Sequence, residues 1–552
     1  MTEVTVSQAI SSNFFKAFPW PPFAVSAKSE WPALAVLASV FALGLAWVKP
    51  LTNVPVIDDW VYAWSVEHFL KTGKLRVLEF SSVYPLAQIL WGALFAGVAG
   101  FSFGVLRLST VVLAVLGCWA LYLTLRELTF SRAASLLGAL ALALDPVYFA
   151  LSFSFMTDVP FVALSTISVY YFISALHRHQ PARAWPGGLF AVSAFLVRPI
   201  GIVIPLSVVP ALWSRSDRRL WLAPLSIALL TMVVLWIVMS RTLGPLDAGA
   251  ARVQQFRWWL TIPASKYAAW NIALVFEAVF PLAPLLLASL SRVRVAVAAT
   301  MAALMLVSVL HFTLGAIPSP LPDWQTWSLQ DIGARAMIGG ALTPSAWSMR
   351  VAPLVRALGV ITIGAMLVAC VKLRRRFSDG GVRVLASLGV LNLALINLLW
   401  VYNDRYYLVL APTLACFALG PAGPTKRGQW VAGALLFVWA VIAISGTRDL
   451  LAVNAASATA AQRLEAAGVP SWEIDAGYAL NGWRLYAHPE NLPPGADPRF
   501  DVPYVTSGRL PMFRVTNVPL PGYDIVGVVA LGHTWWQVTD RLYVLRWQPH
   551  GT

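Results

Sequence analysis

Charge is scarce in this chain: of 552 residues only 12% are Asp, Glu, Lys or Arg, against about a quarter in soluble globular domains. That excludes a water-soluble fold. Cysteine is scarcer still, and Cys118, Cys370 and Cys416 each lie in an apolar run. Neither a disulfide framework nor a cysteine metal site is therefore expected. Regular polar–apolar alternation is also missing, which excludes a closed outer-membrane barrel. Hydrophobic side chains make up 58% of the residues. Runs such as PALAVLASVFALGLAWV (32–48) and APLSIALLTMVVLWIVM (223–239) approach the roughly 20 residues a helix needs to cross about 30 Å of hydrocarbon.

Acids are the minority sign, and the net charge is +15. From residue 446 onward there are eight Arg, no Lys and nine acids, so this tail is near −1 and the first 445 residues carry +16. The excess sits in short clusters between apolar segments, as in loops retained in the cytoplasm, and no nucleic-acid partner is implied. Six clusters are assigned to the cytoplasm: 126–132 (RELTFSR), 177–183 (HRHQPAR), 215–219 (RSDRR), 292–294 (RVR), 372–376 (KLRRR) and 426–427 (KR). The complementary loops 50–104, 150–160, 240–268, 314–349 and 401–405 are richer in Trp, Pro, Gly and acids, and are expected to face outward.

Both sets are satisfied by thirteen transmembrane helices, near 32–48, 105–125, 133–149, 160–176, 186–197, 200–213, 222–239, 269–290, 295–313, 350–371, 384–400, 406–421 and 429–445. The fold expected is an α-helical polytopic membrane protein in the plasma (inner) membrane, with residues 1–31 cytoplasmic and 32–445 forming the membrane domain. The first apolar run has no small-residue cleavage site and reads as an uncleaved signal anchor. Segment 84–100 is expected as an interfacial helix within the outer loop 50–104. The pair 186–213 is expected to break at Arg198-Pro199. Residues 446–552 are expected as a small extracytoplasmic α+β domain, with a helix in SATAAQRLEAAG and strands in YDIVGVVAL and RLYVLRW.

Several polar residues on the outward side are candidates for chemistry. Asp58 and Asp59 open IDDWVYAWSVEHFLKTG, and adjacent carboxylates are costly to bring together unless something uses the charge, because like charges raise each other's proton affinity; as plain loop acids or a helix cap they would need no further role. Asp158 in MTDVPF would make an ordinary N-cap, yet the topology puts it on the same side as Asp58. Arg198, in an apolar segment, faces a cavity or an anion, or else snorkels from a helix end. Asp404 and Arg405 lie at the outer mouth of the twelfth helix, where a surface pair would contribute almost nothing. Arg241, Arg252, Arg257, Lys266 and Arg335 add cations to outer loops, which suits an anionic ligand such as a lipid phosphate.

The ordered set DDWVYA, LRL (106–108), RELTFSRAASLLGALALALDP (126–146), MTDVPF (156–161), LVRPIG (196–201) and DRYYLVLAP (404–412) resembles the polytopic C-type glycosyltransferases over roughly residues 50–420. These include protein O-mannosyltransferases and the aminoarabinose lipid A transferase. The resemblance implies that Asp58 is the catalytic carboxylate near the acceptor, with Asp59 and Asp158 as further acids of the site. It also implies Tyr62 near the donor phosphate, with Arg198 and Arg405 among the basic residues that accompany it. Glu79 approximately matches an acid at the end of the donor-side loop. Val61 stands where the aminoarabinose enzymes have Arg, and SSVYPL (81–86) lacks their Lys-Pro-Pro, which separates this chain from that sugar donor.

The activity implied is transfer of a sugar from a polyprenyl-phosphate donor to an extracytoplasmic hydroxyl on a glycan, lipid or protein, with inversion. Asp58 is the expected base, its proton affinity raised by Asp59 and the nearby bilayer. No cofactor is required, although Asp58, Asp158 and Glu79 would also allow a divalent metal. The alternative is a secondary transporter or flippase for a lipid-linked or anionic substrate. It ranks lower because no halves match and only Glu277 and His311 are ionisable well inside helices.

Overall fold

The computed structural model of the protein describes residues 30–244, 246, 282–289, 361–398 and 404–548, short stretches such as 421–423 and 536–539 and scattered single positions excepted, with isolated positions between 279 and 304. The expected helix 295–313, most of those at 269–290 and 350–371, the loop 314–349 and most of 240–268 lie outside the described residues. So do Arg252, Arg257, Lys266, Glu277, His311 and Arg335.

The chain folds as a helical bundle with one small sheet near its C-terminus. In order, the helices before the first gap are α1 (Trp31–Val48), α2 (Asp59–Thr72), α3 (Leu86–Ala99), α4 (Phe103–Glu127), α5 (Arg132–Ala143), α6 (Pro146–Ser152), α7 (Asp158–His177), α8 (Ala184–Phe195), α9 (Val203–Leu212) and α10 (Arg219–Thr242). After it come α11 (Ala283–Ser289), α12 (Gly380–Leu398), α13 (Ala411–Leu419), α14 (Lys426–Ala466) and α15 (Tyr478–Asn481). Among the described residues α1, α4, α7, α10 and α14 are long and apolar enough to cross a membrane, and α5 with α6 would form a sixth, bent span. The protein is a multi-pass membrane protein. Helices α4 and α7 form its centre, where Gly117 lets the two backbones close: a Cβ there would sit 2.9 Å from the Ala163 Cα. Small residues are what permit such approach between apolar helices.

Three expected helices are corrected. The span 133–149 is not one helix, because Pro146 cannot continue the hydrogen-bond ladder. Asp145 restarts the chain as an N-cap, its Oδ1 accepting from the Val147 and Tyr148 amides at 2.8 and 3.2 Å, and α6 leaves α5 at 66°. The span 406–421 opens instead as a 3₁₀ helix (Asp404–Leu410). The thirteenth helix does not stop at 445: α14 runs 41 residues, about 60 Å at 1.5 Å per residue. It passes through residue 446 and takes in the stretch expected as a separate helix of the tail. The break in 186–213 falls at Arg198-Pro199, with Arg198 extended at φ −143°, ψ 130°, as the residue before a proline prefers.

Beyond α14 a four-stranded sheet has the order β1 (Ile474–Asp475), β2 (Phe513–Thr516), β4 (Arg541–Trp547), β3 (Tyr523–Ala530). β1 and β2 are parallel; the other pairs are antiparallel. The last two strands are those read from YDIVGVVAL and RLYVLRW. This tail packs on the chain between α1 and α3. Gly482 lies so close to Trp60 that a Cβ would fall 2.4 Å from its ring, and Trp60, Phe80, Tyr478 and Tyr486 form an aromatic cluster with ring centres 5.0–6.5 Å apart.

The two ends of the bundle differ in chemistry. At one end four of the basic clusters interlock. Arg178 Nε donates to Glu127 at 3.0 Å, Arg215 Nη2 meets His179 at 3.2 Å, Arg376 Nη2 donates to the Leu128 carbonyl at 2.6 Å, and His177 Nε2 meets Asp379 at 2.9 Å. Helix α7 runs from that end, at His177, to Asp158 at the other, about 30 Å away.

Candidate active site

Asp58 stands at the N-cap of α2, immediately after Ile57, whose φ of +53° is left-handed. That conformation is costly for a β-branched residue and persists where surrounding structure enforces it. Ile57 is buried, which supplies the enforcement. Successive helical residues point about 100° apart, so the two adjacent aspartates diverge. Asp58 opens into a cavity, whereas Asp59 is fully buried on the opposite side.

Asp59 Oδ1 accepts from the Val56 amide at 2.7 Å, and its Oδ2 is 3.5 Å from Arg107 Nη2. Arg107, itself fully buried, donates from Nη1 to the carbonyls of Pro50 and Thr52, each at 3.0 Å, and from Nη2 to that of Val54. This arginine gathers the chain between α1 and α2 around one guanidinium. Burial pushes the Asp59 carboxyl up to about 7 against the pull of Arg107. Asp59 thus holds the loop and does not reach the cavity, which corrects its placement among the catalytic acids.

The cavity is about 380 Å³ and collects its polar groups from six stretches of chain. Asp58 Oδ2 is 3.1 Å from Arg405 Nη2, and its Oδ1 accepts from the Tyr478 hydroxyl at 2.6 Å. Asp158 Oδ1 is 2.8 Å from Arg198 Nη2, while Arg198 Nε donates to Thr157 Oγ1 at 2.9 Å. Both guanidiniums lie over the Tyr406 ring, 5.2 Å away for Arg198 and 5.8 Å for Arg405. Cation–π contact of this kind holds a guanidinium without consuming its donors. The 3₁₀ turn explains why Tyr406 and Val409 share this wall, since side chains three apart eclipse there. Tyr62 lines the cavity from α2, and burial together with the Asp58 charge pushes its phenol up to about 12, so it remains a donor.

Five of the six expected site residues therefore converge: Asp58, Tyr62, Asp158, Arg198 and Arg405. Asp59 does not, and neither does Glu79, which lines a separate hollow. The Asp58, Asp158 and Glu79 set considered for a divalent metal is not brought together, and no cluster of three His, Cys, Asp or Glu side chains with metal-site geometry exists among the described residues. Each of the two cavity carboxylates instead faces its own arginine.

Residues 85–243 match the family described as dolichyl-phosphate-mannose-protein mannosyltransferase. The chain is similar to that glycosyltransferase family over this span. The match covers α3 to α10 and bears out the resemblance to the polytopic C-type glycosyltransferases. Among solved structures, archaeal oligosaccharyltransferase AglB from Archaeoglobus fulgidus, in complex with an inhibitory peptide and a dolichol-phosphate, is 14% identical with a TM-score of 0.41, over 77% of this chain and 55% of its own. The chain thus spans about half the length of that protein. ArnT from Cupriavidus metallidurans bound to undecaprenyl phosphate is 13% identical with a TM-score of 0.45, over 94% of this chain and 98% of its own. No curated protein matches the chain.

Sequence reasoning missed Tyr478, Tyr406 and the role of Arg107. Arg107 carried a signal, a lone charge in an apolar run. Tyr478, in AGYALNG, carried none.

Proposed function

We propose that this protein transfers a sugar from a polyprenyl-phosphate donor to an extracytoplasmic acceptor hydroxyl by a single inverting displacement. The observation that carries the reading is the shared cavity, in which two carboxylates and two guanidiniums from distant parts of the chain meet, lined also by Tyr62 and Tyr478. The cavity end is taken as extracytoplasmic and the interlocked basic end as cytoplasmic, with the protein in the plasma (inner) membrane, on the charge bias of retained loops.

In this reading the bond from the anomeric carbon to the phosphate oxygen breaks and its electron pair leaves with the phosphate. The acceptor oxygen bonds to the opposite face of that carbon, and its proton passes to Asp58. One base opposite one leaving group is the arrangement of inverting glycosyl transfer. Arg198 and Arg405, with the Tyr62 hydroxyl, offset the charge that grows on the phosphate. Arg405 already touches Asp58. A phosphate arriving at Arg405 draws the guanidinium away and leaves Asp58 held by Tyr478 alone, ready to accept a proton. The reaction needs no metal in this scheme.

Purified protein incubated with a labelled polyprenyl-phosphate monosaccharide and an envelope-lipid extract is expected to form a covalently labelled product. Movement of the labelled lipid across vesicles without any such product would favour a transporter or flippase instead.

A further inference from the structure

A second hollow, about 430 Å³, lies between the first outer loop and the tail. That is within the roughly 300–1,000 Å³ of small-molecule sites. Its walls are Trp64 and residues 76–79 from one side and Tyr486, Ala487, Pro489 and residues 497–499 from the other. An aromatic pair stands between it and the reaction cavity. Phe80 lines the cavity, Tyr486 lines the hollow, and their rings meet edge-on at 5.0 Å. The wall stands on the side of the proposed base, since Phe80 also lies 6.5 Å from Tyr478, which holds Asp58.

The chemistry of the hollow is balanced. It has two carboxylates, Glu79 and Asp497, and two guanidiniums, Arg76 and Arg499. Asp497 is engaged by Arg499 at 2.7 Å, whereas Glu79 has no hydrogen-bond or ion-pair partner among the described residues although it is half-buried. Arg76 rests 5.9 Å over Trp64 and has no carboxylate partner among them. A neutral lining with an unengaged carboxylate, a guanidinium free to donate and apolar Trp, Tyr and Pro surface does not select an anion. It suits a ligand with many hydroxyls and apolar C–H faces. Carboxylates accept hydroxyl hydrogens in short, charge-assisted bonds, and aromatic rings cover the C–H faces.

We infer that this hollow seats a neutral sugar unit of the acceptor, so that the acceptor is a carbohydrate-bearing molecule extending from the hollow to the neighbouring cavity that holds Asp58. The role as acceptor seat rests on the transfer reaction proposed above; the binding of sugar does not.

The test uses the full chain in lipid nanodiscs, with methyl α-D-mannopyranoside and methyl α-D-glucopyranoside as probes in saturation-transfer NMR. The expected result is transfer to at least one glycoside, reduced threefold or more in Glu79→Ala and in Arg76→Ala and retained in Asp58→Asn. No transfer to either glycoside, or a signal that Asp58→Asn removes and Glu79→Ala does not, overturns the assignment. The bound glycoside should further inhibit labelled transfer competitively against the envelope-lipid acceptor and not against the donor; competition against the donor would move the site to the reaction cavity. Undiminished turnover by Asp58→Asn would sink the proposed reaction and leave the sugar-binding result standing.

Discussion

Arg405 and Asp58 are 347 positions apart in the sequence, and Arg405 Nη2 lies 3.1 Å from Asp58 Oδ2. The residue expected to hold the donor phosphate is therefore in contact with the residue expected to act as base. In this contact each neutralises the other. In the proposed reaction a phosphate would compete for the same guanidinium, so that donor binding and release of the base would become one event.

Replacing Asp58 by Asn keeps the shape and removes the proton acceptor. Transfer is expected to fall by about 10²–10⁴-fold, the usual contribution of a positioned base, with donor binding retained. Single-turnover assays beside a donor-binding measurement check this, and wild-type turnover would remove Asp58 from the role.

Arg405→Ala deletes a cation from the phosphate side. Donor affinity should weaken by about 10–100-fold, since a hydrogen bond to a charged group contributes about 1.5–3 kcal/mol. Unchanged affinity for a polyprenyl phosphate would count against the phosphate assignment.

Tyr478→Phe leaves the ring among Trp60 and Phe80 and deletes only the 2.6 Å hydrogen bond to Asp58. The expected outcome is a kcat lowered about tenfold or more with the donor KM unchanged, because the tyrosine positions the base and does not touch the phosphate. A rise in donor KM with kcat intact would place Tyr478 elsewhere in the reaction.

Asp59 is expected to give the fold a pH dependence whose sign follows from its burial. Burial raises its carboxyl from the ordinary 3.8 to about 7, so between these values the folded protein holds a proton that the unfolded chain releases. Stability should decline as pH rises from about 4 to about 7 and level off above that. Thermal unfolding of the detergent-solubilised protein across this range is the measurement. Asp59→Asn should flatten this part of the profile; the same slope in the variant would assign it to other groups.

Much of the architecture was legible because the bilayer imposes simple rules. Apolar length marked α1, α4, α7 and α10, and Arg198-Pro199 marked the break before α9. Charge placed RELTFSR, HRHQPAR, RSDRR and KLRRR on one side, and the structure interlocks these at one end of the bundle. The restart at Pro146 was missed because hydropathy is blind to a proline inside an apolar run. The stop at 445 was misplaced because a helix may continue from apolar into polar sequence, as α14 does.

The sequence by itself determined that this chain lies in a membrane, and which charged residues gather at the same end of it as Asp58 and Asp158. Hydropathy and charge act locally, so each segment records its own part of that answer. Only the tertiary structure decided that Asp58 faces the cavity while Asp59 turns to Arg107, and that Tyr478 from the tail completes the site. Those outcomes depend on a helix's rotation about its axis and on contacts across hundreds of residues, which no local pattern encodes.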